Sequence, residues 1–390
     1  MIWDAVSWLL HPYAYFQRQA RRRGLTWRAW LPGLGRVLMS GDPHILEQVI
    51  HHPHLAGGIA HRALRATLGE DHLIVMSGPA HRPRSLAVRQ SLTAFSSDQE
   101  MARLTRQEFD QLPLGQPFSL HKVAHQASLR IMLNGLLGAD QESAIVKLAQ
   151  QFQASFSNPL LLFLPALQQD WGPYSPWGRL LRRRRRLQEA LLQQLQHAPQ
   201  DCIGARLAQR VAAPSLPVEL MALLMFGHET TAATFAWCFA LLQPEAVRRI
   251  RDGDTRYTLA FIEESLRLCP AVGQLTRVAQ QDLSLGPWQV PRGSVVMPAI
   301  PLAQQNFPDP QRFDPERFLR TAPPANHYCP FGFGERICPG KAMALRQLVV
   351  MLETVLQNYE IRLPLGYQPR PQRKLFLVVP QAGTPALRLA

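Results

Sequence analysis

The most chemically specific segment of the sequence is FGFGERICPG, residues 331–340, which places Cys338 among three glycines and a proline. Glycine allows a backbone to turn tightly and to approach a flat ligand closely. A helix beginning near Gly340 would direct its N-terminal amides at the cysteine, and that end of a helix stabilises a thiolate. The segment therefore predicts a thiolate that acts either as a nucleophile or as an iron ligand.

The residues alone do not decide between a nucleophile and a metal ligand. A nucleophilic Cys338 would need a base, and His327 is the nearest histidine in the sequence. Cys329 suggests a paired metal site, but its spacing from Cys338 matches no zinc or iron–sulfur pattern.

The segment FGHETTAATF, residues 226–235, interrupts the longest apolar helical stretch. Glycine costs a helix about 1 kcal/mol, and a buried carboxylate without a partner costs more. One interpretation is a locally opened helix in which Thr230 and Glu229 hold water and pass protons to a ligand beside Gly227. The alternative is a partly exposed polar stripe, or a glutamate paired with an arginine.

Two further segments carry charged residues that can form a cluster. EESLR places Glu264 and Arg267 on one helix face, three residues apart, and FDPERF places Arg317 in a turn. Taken alone, the first is an ordinary surface pair. If Arg317 reaches Glu264, one carboxylate holds two guanidiniums and fixes the irregular segment 301–330 to a helix.

Together these four segments resemble the cytochrome P450 haem-thiolate monooxygenases. The family's cysteine loop, Phe-x-x-Gly-x-Arg-x-Cys-x-Gly, its helix signature, Gly-x-(Asp/Glu)-Thr-Thr, its Glu-x-x-Arg pair and its Pro-Glu-Arg-Phe turn all occur in the expected order. The matching residues are Phe331, Gly334, Arg336, Cys338 and Gly340, then Gly227, Glu229, Thr230 and Thr231, then Glu264 and Arg267, and finally Pro315 to Phe318. The resemblance covers essentially the whole chain.

The resemblance implies that Cys338 is the axial ligand of the iron in haem b, where thiolate donation favours O–O cleavage. It implies that Thr230 and Glu229 form the acid–alcohol pair that delivers protons on the distal side. It makes Glu264, Arg267 and Arg317 the structural triad that positions the cysteine loop. The other haem contacts that these motifs imply are Phe331, Gly227, Gly332 and Gly340.

The resemblance also implies contacts with the haem propionates. Arg336, two residues before the cysteine, would face one propionate, and Arg277 in LTRVA is similar to another such contact. His81 matches the histidine of a His-x-x-x-Arg element on the helix beside the haem.

The sequence departs from the family pattern in two places. Ser85 stands where the element that begins at His81 has arginine, so we expect Arg84 or Arg82 to replace that contact. Phe226 stands where the family usually has alanine, and its ring either narrows the distal pocket or points away from it.

From the resemblance we expect a soluble monooxygenase that inserts one oxygen atom from dioxygen into an apolar small molecule, as in secondary metabolism. The segments 55–75, 157–178 and the stretch after Pro270 are rich in Leu, Phe, Ala and Pro. They suggest a terpenoid, fatty acyl or polyketide-like substrate. Electrons would come from an acidic ferredoxin or flavodoxin with its reductase, docked by basic groups such as Lys341 and Arg346.

Two alternatives of different kinds remain. The first is oxidative coupling, rearrangement or peroxide-driven oxidation without net hydroxylation by the same haem-thiolate site. The second is a non-catalytic basic protein that binds nucleic acid or a membrane surface, since the net charge is +14 and residues 182–186 are all arginine. No zinc-finger, RNP or helix–turn–helix spacing accompanies that run, so we expect a solvated helix face and no nucleic-acid partner.

The chain around these motifs predicts a mainly α protein with small β-sheets, a single cytochrome P450 domain over residues 1–390. Hydrophobic residues make up 46% of the sequence, enough for a large core. Patterns and prolines predict helices over 178–197, 217–243, 255–268 and 340–358, short strands within 271–300, and strands in the tail. Residues 157–178 predict a mobile apolar loop.

Cysteine usage and the N-terminus bear on the compartment. The five cysteines form no disulfide framework, which favours a reducing, cytoplasmic compartment. The apolar stretch at the start, MIWDAVSWLLHPYAYF, is shorter than the roughly 20 apolar residues that a membrane span needs. We expect an opening helix that packs on the domain, and no membrane span.

Overall fold

The helices form most of the architecture. The computed structural model describes residues 6–8, 10–31, 34–57, 65, 67–93, 95, 97–138, 143–158, 161, 165–374 and 377–389. Within these ranges the α-helices are α1 (Pro12–Arg23), α2 (Pro43–His51), α3 (His81–Leu92), α4 (Asp98–Asp110), α5 (Leu120–Leu137), α6 (Ser143–Phe156), α7 (Pro176–Leu195), α8 (Ile203–Ala208), α9 (Leu216–Ala240), α10 (Pro244–Arg251), α11 (Thr255–Leu268), α12 (Ile300–Ala303), α13 (Glu316–Arg320) and α14 (Lys341–Asn358).

The strands are short and form small sheets. They are β1 (Thr26–Leu31), β2 (Gly35–Ser40), β3 (Leu55–Ala56), β4 (Pro117–Ser119), β5 (Arg277–Ala279), β6 (Leu283–Leu285), β7 (Trp288–Val290), β8 (Val295–Pro298), β9 (Ile361–Arg362), β10 (Pro371–Lys374), β11 (Leu377–Pro380) and β12 (Pro385–Arg388). The largest described sheet has the order β1-β2-β8-β5-β3, and β2 pairs with β8 in parallel, so early and late parts of the chain are joined.

Helix α9 lies at the centre and makes its most extensive contacts with α5. Its apolar side chains are buried nearly all round, as expected for a helix in the middle of a large core. Proline opens it, and it ends at Ala240, three residues before the predicted end. The predicted mainly α architecture with small sheets is confirmed.

Local sequence signals account for several of the helix ends. The Asp42 carboxylate accepts a 2.8 Å hydrogen bond from the amide of His44 and caps α2, as the Asp-Pro sequence predicts. Helix α7 begins at Pro176, two residues before the prediction, because the hydroxyl of Ser175 accepts from the Gly178 amide. Of the predicted mobile loop, residues 159–160 and 162–164 lie outside the described part of the chain.

The N-terminal segment packs on the body of the protein, as predicted. Trp8 is 3% exposed, and its indole Nε1 donates to Gln274 Oε1 at 2.9 Å. None of the helices in the described ranges combines the length and the apolarity of a membrane span.

The arginine run on α7 is not simply a solvated face. Arg185 and Arg186 are exposed, as predicted, but the guanidinium of Arg183 donates to the carbonyl of Gln151, and that of Arg184 donates to the carbonyl of Thr67 at 3.0 Å. The prediction was wrong for these two residues because long side chains can cover apolar surface while their ends bond to neighbouring carbonyls.

We predict that Gly41→Ala destabilises the fold and that Gly273→Ala does not. A Cβ at Gly41 would lie 2.2 Å from Leu302 Cβ and 3.1 Å from the Ala303 amide nitrogen, whereas a Cβ at Gly273 would lie 3.8 Å from the Pro301 ring. Overpacking of this kind costs about 1–3 kcal/mol in the free energy of unfolding. Urea denaturation followed by circular dichroism checks the difference; equal midpoints for the two variants would contradict it.

Candidate active site

The cysteine loop is folded by its own backbone. The Cys338 amide donates to the carbonyl of Phe331 at 2.8 Å, and the Gly332 amide donates to the carbonyl of Cys329 at 2.9 Å. Gly332 and Gly334 have φ of 76° and 59°, a region that favours glycine. These constraints explain the glycine pattern and place Cys338 directly before the first turn of α14.

The thiol of Cys338 is partly accessible and is not an activated nucleophile. Burial raises its pKa, and the amide of Gly340 together with the charge of Arg89 offsets only part of this effect. The amide of Gly340 at the start of α14 thus favours the thiolate, as the sequence predicts, but burial outweighs it. A coordinated metal ion removes the thiol proton outright, so the iron-ligand interpretation fits this environment better than the nucleophile.

The described residues support neither a catalytic dyad of Cys338 with His327 nor a metal site that pairs Cys338 with Cys329. No hydrogen bond joins His327 to Cys338 in the described part of the chain. Cys329 is 2% exposed and packs in a separate apolar cluster, where burial raises the pKa of its thiol to about 12.

Three basic side chains gather near the loop without a carboxylate partner in the described ranges. Arg277 is 7% exposed, and its guanidinium lies 4.8 Å from the ring centroid of Phe333. Burial lowers the pKa of Arg277 and of Arg336 to about 10, and Arg336 adds to the effect at Arg277. Burial, followed by the charges of Arg336 and Arg277, lowers the pKa of His81 to about 4.

His81 also carries an unused hydrogen-bonding atom. Its Nδ1 is buried and has no partner. Buried polar atoms are normally paired, and neighbouring cations normally lie beside an anion. This basic cluster (His81, Arg277 and Arg336) therefore has the donor set that suits a ligand with two carboxylates.

Arg336 connects the cysteine loop to the segment before α3. Its guanidinium donates to the carbonyl of Leu73 at 3.3 Å and to that of Met76 at 2.5 Å. A Cβ at Gly57 would lie 2.0 Å from Arg336 Nε, so only glycine leaves room for this side chain.

The arginines expected to replace the contact missing at Ser85 do not join the basic cluster. Arg84 donates to Glu219 Oε1 at 3.1 Å and to the hydroxyl of Ser215 at 3.0 Å, at the start of α9. Arg82 is exposed. On α3 it is instead the charge of Arg89 that influences the site, because it lowers the pKa of Cys338. The sequence motifs did not single out Arg89.

One face of α9 is accessible although the helix is otherwise buried. Leu223, Phe226, Gly227 and Thr230 are all partly exposed and recur with helical spacing. The ring of Phe226 packs edge-to-face against His72, with centroids 5.7 Å apart. This face has the character of a mostly apolar pocket wall.

The helix is continuous through this region, so the expectation of a locally opened helix was wrong. The hydroxyl of Thr230 donates to the carbonyl of Phe226 at 3.0 Å, and that of Thr231 donates to the carbonyl of Gly227 at 3.0 Å. A Cβ at Gly227 would lie 2.9 Å from Met132 Cε of α5. Gly227 therefore lies close to the flexible end of the Met132 side chain on α5, and its contact with a cofactor stays a prediction.

Glu229 has partners that the sequence did not reveal. Its Oε1 lies 2.9 Å from His125 Nε2 and 3.8 Å from Lys374 Nζ. Burial disfavours the ionised form, but the hydrogen bond from His125 and the charge of Lys374 outweigh it and lower the pKa of Glu229 to about 2. The partners are a histidine and a lysine, not the arginine considered as an alternative.

The structure brings the three residues of the predicted triad together. Arg267 donates to both oxygens of Glu264, at 2.7 and 2.9 Å, and Arg317 Nε donates to Glu264 Oε1 at 3.2 Å. Glu264 and Arg267 are fully buried. Arg267 also donates to the carbonyls of Gln304, Pro310 and Arg312, so the irregular segment before the cysteine loop is held to α11.

The two basic residues expected to dock a partner are at the start of α14. Lys341 Nζ lies 5.8 Å from the ring centroid of Phe331, and Arg346 forms a 2.6 Å ion pair with Asp98. Arg346 is therefore partly neutralised, and Lys341 lies against the loop itself.

Comparison with known proteins decides the family. A family profile described as Cytochrome P450 matches residues 180–385, more than half of the chain. The chain belongs to the cytochrome P450 family. It is accordingly an oxidoreductase of the haem-thiolate monooxygenase class, and the pairing of Cys338 with a basic cluster is consistent with that membership.

Curated relatives and solved structures agree with the P450 assignment. The chain is 27% identical to the protein named cytochrome P450 137 of Mycobacterium tuberculosis, over 97% of this chain and 86% of the relative. It is 28% identical to the one named cytochrome P450 138 of Mycobacterium bovis, over 88% and 84%. Two crystal structures from Thermus thermophilus share the fold at 24% identity: a six-coordinated cytochrome P450, with a TM-score of 0.73 over 97% of this chain and 98% of the other, and CYP175A1, with a TM-score of 0.77 over 97% and 95%.

We predict that Glu264→Gln lowers the free energy of unfolding of this P450 by about 3–5 kcal/mol, because it leaves two guanidiniums without their carboxylate. Glu245→Gln is the matched control: Glu245 pairs with Arg248 at the same three-residue spacing, but in full contact with solvent. That variant should keep the wild-type midpoint, because exposed pairs contribute little. Thermal unfolding of both variants tests this, and a similar loss in both would refute it.

Proposed function

We propose that this P450 binds haem b through Cys338 and inserts one oxygen atom from dioxygen into an apolar small molecule. The observation that carries the proposal is the basic cluster beside the cysteine loop, where His81 has an unused buried nitrogen. Haem b has one iron that can take the thiolate and two propionates that can take the cations. The residues present therefore fit the group that the family implies.

Each residue of the loop has a definite task in this proposal. When bound, haem supplies the iron at which dioxygen is activated. Cys338 provides the thiolate, and the amide of Gly340 donates to its sulfur, which limits the negative charge on that atom. Arg336 and Arg277 neutralise the propionates, so the energetic cost of burying these guanidiniums is offset.

On the distal side, we assign proton delivery to Thr230 and Glu229. The Thr230 hydroxyl lies on the accessible face of α9 and, while it donates to the carbonyl of Phe226, has lone pairs free to accept from a water. Glu229 is ionised at neutral pH and is held toward α5 by His125. It serves as a proton carrier only when its side chain leaves His125 and turns toward Thr230.

The substrate in this proposal is an apolar molecule with at most one polar group. Phe226 packs edge-to-face against both His72 and Phe156, which gives the accessible face of α9 an aromatic border. His72 Nδ1 accepts from the amide of Ile74 at 3.0 Å, so Nε2 bears the proton, and this buried Nε2 has no partner. A single acceptor oxygen on a terpenoid, fatty acyl or polyketide-like substrate would satisfy it.

The electron donor that we infer is an acidic ferredoxin or flavodoxin with its reductase. The net charge of +14 favours an acidic partner in general, and Lys341 lies directly beside the cysteine loop. All five cysteines are free thiols, which supports a reducing, cytoplasmic compartment for this exchange.

Reduction of the holoenzyme under carbon monoxide tests the ligand assignment. We expect the red-shifted Soret band of thiolate-ligated haem in the wild type, and its complete loss in Cys338→Ala. Cys329→Ala, at a buried cysteine nine residues earlier, should keep the band. A band typical of histidine-ligated haem in the wild type would contradict the proposal.

Thr230→Ala should keep haem but release reducing equivalents as hydrogen peroxide, because a positioned proton donor is lost. The coupling of electron consumption to product should fall about tenfold or more. Thr231→Ala is the control, since its hydroxyl makes the same hydrogen bond to the preceding turn but is 2% exposed. The measurement is peroxide release with a surrogate reductase and a compound that shifts the ferric Soret band; equal coupling in both variants removes Thr230 from the proton path.

A further inference from the structure

Two histidines and one carboxylate meet between α5 and α9, on the side of α9 that includes Glu229. His125 Nε2 lies 2.9 Å from Glu229 Oε1 and 3.1 Å from His228 Nε2. The three ligand atoms lie within 4.8 Å of one another. His125 lies outside the P450 motifs, and His228 occupies the variable position of the helix signature, so the family pattern prescribes neither histidine.

The protonation states suit metal coordination. His228 Nδ1 is hydrogen-bonded to the backbone carbonyl of Leu224, so Nδ1 bears the proton and Nε2 presents a lone pair to the cluster. A histidine that ligates a metal commonly donates its other nitrogen to a backbone carbonyl in this way.

The spacing of the ligand atoms also suits a small divalent ion. Zinc binds imidazole nitrogen and carboxylate oxygen at roughly 2.0–2.1 Å with tetrahedral geometry, which places neighbouring ligand atoms about 3.3 Å apart. The two separations from His125 Nε2, 3.1 and 2.9 Å, differ from that value by a few tenths of an ångström, and the separation between the His228 and Glu229 ligand atoms is no more than 4.8 Å. Small rotations of the side chains would complete three corners of a tetrahedron.

The surroundings both favour and limit such a site. The side chains of His125 and Glu229 are 16% and 12% exposed, and His228 is 1% exposed, so the site is enclosed yet reachable by a hydrated ion. His121, one turn earlier on α5, is buried with an unpaired Nε2, and its ring centroid lies 6.3 Å from that of His125. Lys374, 3.8 Å from Glu229, opposes a cation and must move aside, which lowers the affinity.

We propose that His125, His228 and Glu229 form a zinc-binding site that links α5 to α9, with water in the fourth position. Binding replaces the His125–Glu229 hydrogen bond with bonds to the metal and so fixes the carboxylate on the α5 side of α9. If the proposed function is correct, zinc then inhibits turnover, because Glu229 is withdrawn from Thr230. Zinc binding itself does not depend on that function.

Equilibrium dialysis of the untagged holoenzyme against Zn²⁺, with metal analysis, tests the site. The wild type should bind one zinc more tightly than any other, and both Glu229→Gln and His125→Gln should weaken that binding at least tenfold. His51→Gln is the matched control: His51 pairs with Glu47 at 3.2 Å on the exposed side of α2, where the described residues supply no third ligand, and the variant should bind zinc as the wild type does. Haem content and circular dichroism establish that each variant is folded.

X-ray absorption at the zinc edge gives a second readout that neither haem nor activity affects. We expect nitrogen and oxygen ligands at the distances of a tetrahedral site, and a change in that shell in Glu229→Gln. Equal zinc affinity in the wild type and both variants, or a shell that contains sulfur, would overturn the proposal. Loss of the carbon monoxide band with zinc binding intact would instead refute the proposed function alone.

Discussion

The Glu264 carboxylate is the central interaction in the segment of the chain that leads into the cysteine loop. It is fully buried and accepts from Arg267, Arg317 and the backbone amide of Asp314. Arg267 in turn bonds to three carbonyls of a segment that lacks long helices or strands. Since irregular backbone cannot satisfy its own polar groups, this charge cluster replaces the hydrogen bonds that regular structure would supply. The segment that leads into the cysteine loop is thereby held to α11.

The surroundings of the cysteine loop contain more basic groups than acidic partners for them. Three basic groups lie together: burial lowers the pKa values of His81 and Arg277, and the charge of Arg336 lowers both further. A protein can retain such a cluster when a bound anion offsets the repulsion, so stability that is given up locally becomes binding energy for the ligand. The same reasoning applies to the thiol of Cys338: burial raises its pKa, and a bound metal ion would offset that effect.

The sequence-based predictions were most accurate where they rested on short motifs with fixed spacing. The helix over Thr255–Leu268 and the helical face shared by Glu264 and Arg267 follow from local periodicity and proline boundaries, and the structure reproduces both. Failures came where distant segments meet. Arg84 was expected near the cofactor but pairs with Glu219, 135 residues away, and Glu229 pairs with His125, 104 residues away. No local pattern encodes such contacts, because they depend on how α3, α5 and α9 pack.

The side chain of Arg336 joins the cysteine loop to the segment before α3. Its backbone belongs to the loop two positions before the thiol, while its guanidinium is fastened to the carbonyls of Leu73 and Met76. Leu73 belongs to the segment 55–75, for which the sequence predicts contact with the substrate, and Met76 directly follows it. A shift of that stretch upon substrate entry would strain or release both bonds. The backbone two positions before the sulfur atom is thus tied, through the Arg336 side chain, to the position of residues 73–76.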